Sequence, residues 1–518
     1  MMAEFNRVDC TSLDVSRLDA EYYGNVYVKN AELIEKSGTS LTLEEMRERS
    51  TPIRRGIDMP QFVENESSPK MVTIASFDEP GIQFDQLKRV SLEQHNAFKG
   101  SHIQPDDLLV AMGGYAGKAA ICPQDTENCN IGRHTARIKI DPTIADARYI
   151  WAFITCRIGT LQFERYVTGS VQAGINLEDI RDIKISVPCP EAQKYIGNKI
   201  RQAEKLRAWA KRLENRVQSF HSQFIPDQMN LDFGKKTRKV STDRMTERLD
   251  AHFYPGVVEQ YLNTHPCKFE SLSALTTVIY NGQTQPESFE EFCEQITVAN
   301  LSASFIKGQP RKVSLTSKVD KFIKIHDILM CNAAHNKSYI GRELTYVHTD
   351  KKLLPSTEVM TIRVNRDLLP ASYVRTYLLS RLGYVKVQST IRGITAHSYP
   401  DDVALLDIYI PEVESNQKQQ WFKQDELLVQ AGCAVEFSQK LTSCAKTLVE
   451  ALIEGQLTEQ QLIQAQQALE DGDNSFDQAI LSKLSAEGYA IEGATPLFSD
   501  VDELYSLLEE AAQAEAEE

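Results

Sequence analysis

The chain has 518 residues, a hydrophobic content of 42% and a formal net charge of −15. This length predicts three or four domains, and the apolar content is enough to build real cores. No stretch approaches the roughly 18 uninterrupted apolar residues that a membrane span needs, and the first residues carry no basic run followed by an apolar one. We therefore expect a cytoplasmic protein with no membrane partner.

The negative charge is concentrated in one region and does not exclude a nucleic-acid partner. Residues 455–518 carry 15 Asp and Glu against the single Lys483, whereas the rest of the chain is nearly neutral. Within that nearly neutral part, Glu191 to Arg216 hold eight Lys and Arg against three Glu. Basic surface therefore exists locally, and the acidic residues could cover part of it.

Short apolar or alternating runs in the first half, bounded by Gly, Pro, Asp and Asn, predict strands. They lie at Met71–Ser76, Leu108–Met112, Ala119–Cys122, Ala136–Ile140 and Ile183–Val187. Two stretches predict helices, Ala147–Gln162 and Ala371–Val385, and Arg54–Asn65 is typical of a loop. Each half is therefore expected to contain a mixed α+β globule.

Two longer stretches predict helices that pack side by side. From Pro188 to about Phe224, and again from Trp421 to Leu452, apolar residues recur at steps of three and four, which is the seam of a helix facing another helix. In the first stretch these are Ile196, Ile200, Ala203, Leu206, Ala210, Leu213, Val217, Phe220 and Phe224. The second half of the chain should thus repeat the plan of the first.

A search for internal similarity agrees with this repeat. Arg17–Tyr23 recurs as Arg248–Tyr254, and Tyr149–Gly159 recurs as Tyr373–Gly383. The offset is 231 residues at the first match and lies between 220 and 225 at the later ones. So small a drift indicates a duplication.

The expected fold class is α+β, with two tandem recognition domains, two long antiparallel coiled-coil spacer helices and an acidic helical extension. The predicted boundaries are 1–188 for the first domain, 189–225 for the first spacer helix, 226–243 for a linker, 244–411 for the second domain, 412–454 for the second spacer helix and 455–518 for the extension. In the extension, alternating helices and turns are expected as far as Leu508, and residues 511–518 are expected to fray.

Several patterns resemble catalytic motifs, and none has the required context. The glycines of Gly113–Lys118 are one residue too close for a phosphate loop, and Asp232-Phe233-Gly234 has no kinase catalytic loop upstream. Asp471-Gly472-Asp473 lacks the spaced carboxylates of a calcium loop. The ten cysteines and ten histidines show no metal-ligand spacing. We therefore expect no catalytic residues and no metal site.

Basic and amide side chains on or beside predicted loops remain as a recognition signal. Guanidinium and amide groups can read base edges, and lysines contact phosphates. For any one of them a solvated charged surface is the simpler explanation, but for a set at matching places in two repeats we favour recognition. The candidates are Arg54, Arg55, Lys88, Arg89, Lys118, Arg133, His134 and Arg137 in the first half, and Lys307, Arg311, Lys312, His335, Asn336, Lys337, Arg342 and Arg392 in the second.

As far as about Gly455 the chain resembles the DNA-specificity subunit of type I restriction-modification systems. The resemblance rests on the duplicated half, the glycine loop after Asp107–Val110, the segment Thr168–Gln172, and the run from Ile185 to Gln193 that leads through alternating prolines into the first long helix. The second half departs from this pattern, since it has a single proline at Pro411 and a different sequence, Arg392–His397, in place of the Gly-Ser-x-Gln segment. The resemblance adds Gly113, Tyr115 and Gln172 to the DNA-binding candidates.

The resemblance implies that each globule reads one half of an asymmetric, bipartite site in double-stranded DNA and that the paired long helices set the gap between the halves. It also implies a non-catalytic chain with adenine methyltransferase subunits and restriction or translocase subunits as partners. The chain itself would hold no cofactor, and S-adenosylmethionine, ATP and Mg would act only on those partners.

Two other functions stay open at this point. The strongly acidic extension also suits a coiled-coil interaction protein or a DNA-mimicking regulator, and a self-contained nuclease or methyltransferase is a third interpretation. The extension could dock on the methyltransferase or on the basic flank of the first long helix, formed by Lys199, Arg201, Lys205, Arg207, Lys211 and Arg212. There it could act as a solubilising cover, or it could be a small accessory helical domain.

Overall fold

The computed structural model describes residues 13, 17, 19–78, 80–84, 87–114, 117–168, 173–226, 228, 231–232, 239–240, 242, 245–246, 248–264, 269–316, 318–414 and 416–517. Its contacts divide the chain into two units. Unit 1 comprises Met1–Arg207 and Phe437–Glu518, and unit 2 comprises Ala208–Glu436. Among the described residues, no helix combines the length and the apolar character that crossing a membrane requires.

Unit 1 alternates short strands with helices up to the first long helix, to which it contributes the first part. Its elements are α1 Asn25–Lys36, β1 Ser40–Thr42, α2 Leu43–Met46, β2 Arg54–Arg55, β3 Phe62–Val63, β4 Lys70–Val72, β5 Phe77–Asp78, β6 Gly81–Ile82, β7 Arg89–Val90, α3 Leu92–Ala97, β8 Leu108–Ala111, β9 Ala119–Ile121, β10 Cys129–Ile131, β11 Thr135–Ile138, α4 Ala147–Thr155, α5 Arg157–Tyr166, α6 Leu177–Asp182, β12 Lys184–Ser186 and α7 Pro190–Ser222.

Unit 2 follows the same plan and contributes the first part of the second long helix. Its elements are α8 Gly256–Thr264, β13 Phe269–Ser271, α9 Leu272–Leu275, β14 Thr276–Asn281, β15 Phe292–Ile296, β16 Arg311–Ser314, β17 Ile328–Cys331, β18 Ala333–Ala334, β19 Leu344–Tyr346, β20 Leu353–Pro355, β21 Val359–Val364, α10 Ala371–Leu379, α11 Arg381–Ser389, β22 Ala396–His397, α12 Pro400–Ala404, β23 Asp407–Tyr409 and α13 Lys418–Ile453.

Each unit has its main core between two small sheets. Unit 1 contains sheet A, of order β2-β11-β8-β9, and sheet B, of order β10-β4-β7-β3. Unit 2 contains sheet C, of order β14-β21-β17-β19, and sheet D, of order β16-β15-β20. In unit 1, Leu109 and Ala120 of sheet A and Val72 and Ile131 of sheet B belong to one buried cluster. Every residue of β8 is buried, which explains its uninterrupted apolar run.

The repeated Arg-Leu-Asp-Ala motif has the same structural role in both units. Arg17 Nη1 lies 3.4 Å from Asp179 Oδ2 on α6, and Arg248 Nη1 lies 3.4 Å from Asp402 Oδ2 on α12. The two arginine side chains are 10% and 7% exposed. In each unit this nearly buried ion pair joins the Arg-Leu-Asp-Ala segment to a short helix, which is α6 before β12 in unit 1 and α12 before β23 in unit 2.

The stretches Ala147–Gln162 and Ala371–Val385 are helical, as predicted, but neither is a single continuous helix. Two helices occupy each stretch, and the break falls at Cys156 and at Ser380, whose ψ angles of 169° and 158° are extended. The apolar period continues across the break, so the pattern alone did not reveal it.

A glycine explains why the chain turns at this point in both units. A Cβ on Gly159 would lie 1.9 Å from Phe153 O, and one on Gly383 would lie 2.2 Å from Tyr377 O. The second helix of each pair therefore packs back on the end of the first at a distance that only glycine permits.

Two other local predictions differ from the structure. The strand predicted at Met71–Ser76 ends at Val72, because Thr73 starts a 3-10 turn in which Ser76 Oγ donates to Thr73 O (2.6 Å). The loop predicted at Arg54–Asn65 contains β2 and β3, since these residues pair with strands distant in sequence. Both strands have two residues, too few for a sequence period to indicate them.

The two long helices predicted from their apolar steps are present, and their contacts run antiparallel in unit 1. In unit 1, Arg207 Nε donates to Ser438 Oγ (2.8 Å), and Lys199 lies near enough to Cys444 for its charge to lower the pKa of that thiol, which burial raises to about 12. In unit 2, the rings of His221 on α7 and Trp421 on α13 lie 6.2 Å apart. The role of the pair as a spacer stays a prediction.

The acidic extension folds onto α7 in unit 1. Its elements are α14 Glu459–Glu470, α15 Ser475–Leu481, β24 Leu484–Ser485, β25 Gly488–Tyr489 and α16 Val501–Ala516. Glu470 and Glu515 pair with Lys194 and Lys205 of α7 at 2.6 and 3.0 Å.

The predicted fraying from residue 511 is wrong for the described residues, because α16 continues to Ala516 with Ala511 buried.

The predicted basic flank of α7 needs one correction. Lys199 is 1% exposed and donates to Asp477 Oδ1 (2.5 Å) of α15, so it is not part of the basic surface. Arg201 and Arg207 bind residues outside the extension, Asp146 and Ser438 respectively. The extension therefore covers α7 through a buried contact as well as through surface charges.

Candidate nucleic-acid interface

One end of sheet A collects several loops that carry candidate residues. The strand register pairs Thr135 with Ala111 and Ala136 with Arg55, so the turns after β2, after β8 and before β11 leave the sheet at the same end. Backbone hydrogen bonds join them, since Arg133 N donates to Ile57 O (2.9 Å). We call residues 55–58, 112–114, 117–118 and 132–134 the first loop cluster.

The first loop cluster presents cations and a glycine backbone to solvent. Arg133 and His134 are exposed, and Arg133 Nε donates to His134 Nε2 (2.9 Å). Arg55 pairs with Asp58 at 3.0 Å, and both side chains are about half exposed. Lys118 Nζ donates to Ile74 O (3.3 Å), which fixes its direction. Gly113 forms a bridge to the segment after α5, at Gly174.

Gly113 packs closely against the ring of His134. A Cβ at this position would lie 3.3 Å from His134 Nδ1, which is tight for a side-chain contact. Glycine therefore lets the loop after β8 approach the turn before β11. The candidates Tyr115 and Gln172 lie outside the described residues.

The other four candidates of unit 1 lie away from this cluster. Lys88 and Arg89 belong to sheet B or its edge, where Lys88 Nζ sits 4.9 Å above the Phe62 ring and Arg89 Nη1 donates to Ser68 O (2.6 Å). The side chain of Arg54 lies against Gly100. Arg137 is 11% exposed and bonds to His102 O, so it stabilises the fold.

Unit 2 brings a second group of loops together by strand pairing. Antiparallel β18 and β22 pair Ala333 with His397 and Ala334 with Ala396. His335 directly follows β18 and Thr395 directly precedes β22, so the two segments leave the pairing side by side. We call residues 335–342 and 391–397 the second loop cluster.

Hydrogen bonds hold the second loop cluster in one conformation. Gln388 Nε2 donates to Lys337 O (3.0 Å) and to Ile340 O (2.5 Å). Asn336 Oδ1 accepts from Ser338 N (3.0 Å) and caps a 3-10 turn at Lys337–Tyr339. The loop backbone is thus ordered before any ligand binds, which lowers the entropy cost of recognition.

Several polar side chains of the second loop cluster are exposed. His335, Asn336 and Lys337 are exposed. Arg342 pairs with Glu343 at 3.2 Å and lies 4.4 Å above the Tyr339 ring. Arg392, with a side chain 48% exposed, makes an ion pair with the buried Asp402.

Lys307, Arg311 and Lys312 do not join the second loop cluster. Lys312 Nζ lies 4.4 Å above the Phe292 ring on sheet D, which parallels the Lys88 and Phe62 contact on sheet B. Arg311 donates twice to Gln295 Oε1 (3.1 and 2.5 Å). Lys307 is exposed in the turn before β16. In both units some candidates lie in a loop cluster and others on or beside the second sheet, while Arg54 and Arg137 of unit 1 lie in strands of sheet A.

Three exposed apolar or aromatic residues of the second loop cluster and its flank were missed by the sequence analysis. Tyr339 is 48% exposed, Tyr399 is 47% exposed, and Ile394 is fully exposed. Only charged and amide side chains were candidates for recognition. The sequence signal that could have indicated Ile394 is its position directly after Gly393, a glycine typical of a turn.

Comparison with known proteins gives one consistent family. Residues 64–219 match the family model of the type I restriction modification DNA specificity domain. This range contains β4, β7 and β10 of sheet B, the residues of the first loop cluster from 112 onward, and most of α7.

A curated relative from Escherichia coli, the type I restriction enzyme EcoBI specificity subunit, is 23% identical over 148 residues. The aligned segment covers 29% of this chain and 30% of the length of that relative. These matches confirm the resemblance predicted from the sequence. Both names are those of specificity components, which agrees with the prediction that the chain is not an enzyme.

Solved structures of similar proteins are also found. The S subunit of the type I restriction-modification system from M. genitalium is 11% identical, with 81% of this chain and 96% of that chain covered and a TM-score of 0.40. The HsdS subunit from Thermoanaerobacter tengcongensis is 16% identical, with 81% and 97% covered and a TM-score of 0.26.

Proposed function

We propose that this chain is the DNA-reading specificity subunit of a type I restriction-modification system. In this role it recognises an asymmetric, bipartite duplex site and directs adenine methyltransferase and restriction subunits to it. The observation that carries the proposal is a cluster of ordered loops with exposed hydrogen-bond donors in each of two units. The match of residues 64–219 to a DNA specificity domain supports it.

The chemistry of both clusters suits duplex DNA. Lysine and arginine neutralise phosphates, and arginine, asparagine and histidine can donate to base edges in the major groove. Gly113 and Gly114 carry no side chain of their own that would keep a phosphate from their backbone N–H groups. Because the two clusters carry different side chains, the two half-sites should differ in sequence.

Catalysis belongs to the partners in this proposal. A methyltransferase subunit would flip and methylate the target adenine, and a translocating nuclease would cut. S-adenosylmethionine, ATP and Mg would accordingly bind to those subunits. The present chain would contribute affinity, sequence choice and a docking surface.

A binding measurement tests the proposal. The recognised sequence is first read from the modified adenines of a host that carries the complete system. The chain is then purified with its methyltransferase partner and titrated with duplexes that contain or lack that sequence, over a range of salt concentrations. We expect a preference for the specific duplex and a fall in affinity with salt, with a logarithmic slope of about −0.9 for each phosphate contact.

The same measurement separates the alternative functions. A coiled-coil interaction protein or DNA-mimicking regulator would show neither the preference nor the salt dependence. The contacts of Glu470, Asp477 and Glu515 with α7 make the mimic less suitable, because those carboxylates are already paired within the chain. Cleavage or methylation by the purified chain alone would support a self-contained enzyme instead.

A further inference from the structure

A short hairpin projects from the second loop cluster of unit 2. Arg392 N donates to His397 O (2.8 Å), and His397 N donates to Arg392 O (3.1 Å), so the two residues close a tight turn. Gly393 makes the turn possible with φ of +79°, a conformation that favours glycine. We call residues 392–397 the recognition hairpin.

The hairpin is braced at its base. Arg392 pairs with Asp402, which is buried and also lies 3.4 Å from Arg248. The buried hydroxyls of Thr390 and Ser398 lie 2.6 Å apart and join the two chain segments that enter and leave the hairpin. The pairing of β22 with β18 adds a third attachment. Its tip is therefore held in place by the fold.

Ile394 occupies this tip with a relative exposure of 107%, the highest value among the large apolar side chains of the described residues. An isolated exposed isoleucine needs no explanation. This one, however, stands on a braced hairpin and is followed by the half-exposed ring of Tyr399. His335 and Asn336 leave the β18 pairing on the same side. An apolar side chain is thus presented rigidly within a surface that carries hydrogen-bond donors.

We propose that the recognition hairpin enters the major groove and that Ile394 packs on the C5-methyl group of a thymine in the half-site read by unit 2. The major groove admits a two-stranded β-ribbon, and the thymine methyl is the apolar group that base pairs display there. The neighbouring Lys337 and Arg342 are suited to hold the flanking phosphates. The inference rests on the proposed function and assigns a specificity-determining residue to it.

The test removes the methyl group from the DNA and the side chain from the protein. The chain with its methyltransferase partner is titrated with specific duplexes in which each thymine of that half-site is replaced by uracil. Wild type is expected to lose about three- to tenfold in affinity at one position, the effect of one buried methyl group. Ile394→Ala is expected to lose a similar factor on the unmodified duplex and to be indifferent to uracil at that position.

Leu368→Ala is the matched control. Leu368 is an exposed leucine of unit 2 (51%) outside the second loop cluster, so its removal should change neither affinity nor the uracil effect. Thermal unfolding of both variants should match wild type, because neither side chain is buried.

The outcomes separate this inference from the proposed function. If wild type prefers the specific duplex but tolerates uracil at every position of the half-site, or if Ile394→Ala remains sensitive to it, the inference is wrong and the function stands. If Ile394→Ala loses the methyltransferase partner, the residue is a protein contact and the inference is wrong. If wild type shows no sequence preference, the proposed function fails and the inference fails with it.

Discussion

Asp477 makes buried polar contacts that attach the acidic extension to α7. Its Oδ1 accepts from Lys199 Nζ and Tyr195 Oη at 2.5 Å each, and its Oδ2 accepts from Tyr505 Oη at 2.6 Å. The Lys199 and Asp477 side chains are each 1% exposed. Removing either member of so deeply buried an ion pair destabilises the fold, because the other charge stays buried without compensation.

Substitution of Lys199 by Met should therefore destabilise unit 1 by about 3–5 kcal/mol. The exposed pair of Lys194 and Glu470, with side chains 56% and 51% exposed, is the matched control. Lys194→Met should cost less than about 1 kcal/mol, because solvent screens that pair. Chemical denaturation of the two variants measures the difference, and equal costs would contradict the buried-pair interpretation.

Ionisation of Asp477 makes the folding stability depend on pH in the acidic range. Burial alone would raise the pKa of Asp477, but Lys199, together with Tyr195 and Tyr505, outweighs it and lowers the pKa below the usual 3.8. The stabilisation is therefore fully present above about pH 4 and is lost as the pH falls through the lower pKa of the folded state. Denaturation between pH 2 and pH 5 should show a steeper loss of stability in wild type than in a Lys199→Met, Asp477→Leu double variant.

The break between α4 and α5 is the clearest case of an element shaped by tertiary contact. Gly159→Ala would place a Cβ 1.9 Å from Phe153 O, so the two helices would have to separate. We expect a loss of stability of more than about 2 kcal/mol. Gly81→Ala, where the nearest atom to a new Cβ is Asp78 O at 3.7 Å, should cost less than about 1 kcal/mol. Thermal unfolding of the two variants distinguishes these effects.

The elements that sequence analysis found are those whose signal is local and long. The steps of three and four along α7 and α13 indicate helices without reference to anything else. The break at Cys156 has no such signal, since it depends on how closely α5 packs on α4. Lys199 was assigned to the basic surface because its partner Asp477 lies 278 residues away. Local periodicity predicts elements well, but it cannot predict a buried partner so distant in sequence.

The candidate site shows the same limit. Charge and position predicted Arg133, His134 and Lys337 on loops, and the structure has them exposed there. Arg137, also considered a candidate, is instead used inside the fold, because His102 O and Asp107 lie within its reach. Which of several basic residues remains available depends on neighbours that only the folded chain brings together.

At the scale of the whole molecule, the two units should read their half-sites separately. Lys337→Ala should lower the logarithmic salt slope of DNA binding by about 0.9 and leave discrimination in the other half-site unchanged, because one phosphate contact is lost. Lys423→Ala, an exposed lysine on α13, should leave the slope as in wild type. Titration against duplexes altered in one half-site at a time measures both effects, and a change in both half-sites would contradict separate reading.

Removal of residues 455–518 should also affect the whole molecule. Lys199 and Tyr195 would lose their partner Asp477, and the buried Leu462 of α14 and Leu504 of α16 would be removed from the packing of unit 1. We expect lower solubility and a lower unfolding temperature for the truncated chain. Unchanged solubility, assembly with the methyltransferase and DNA affinity would show that the extension is dispensable.

Unit 1 is assembled from two stretches of sequence, Met1–Arg207 and Phe437–Glu518, with all of unit 2 between them. During synthesis on the ribosome, the first stretch therefore emerges long before the helix and extension that complete its packing. The contacts that residues 437–518 make within unit 1 must wait for more than 200 residues to be translated, and contacts so far apart in sequence form slowly. An interrupted translation product would thus lack the residues that complete the packing of α7, among them Asp477, the buried partner of Lys199.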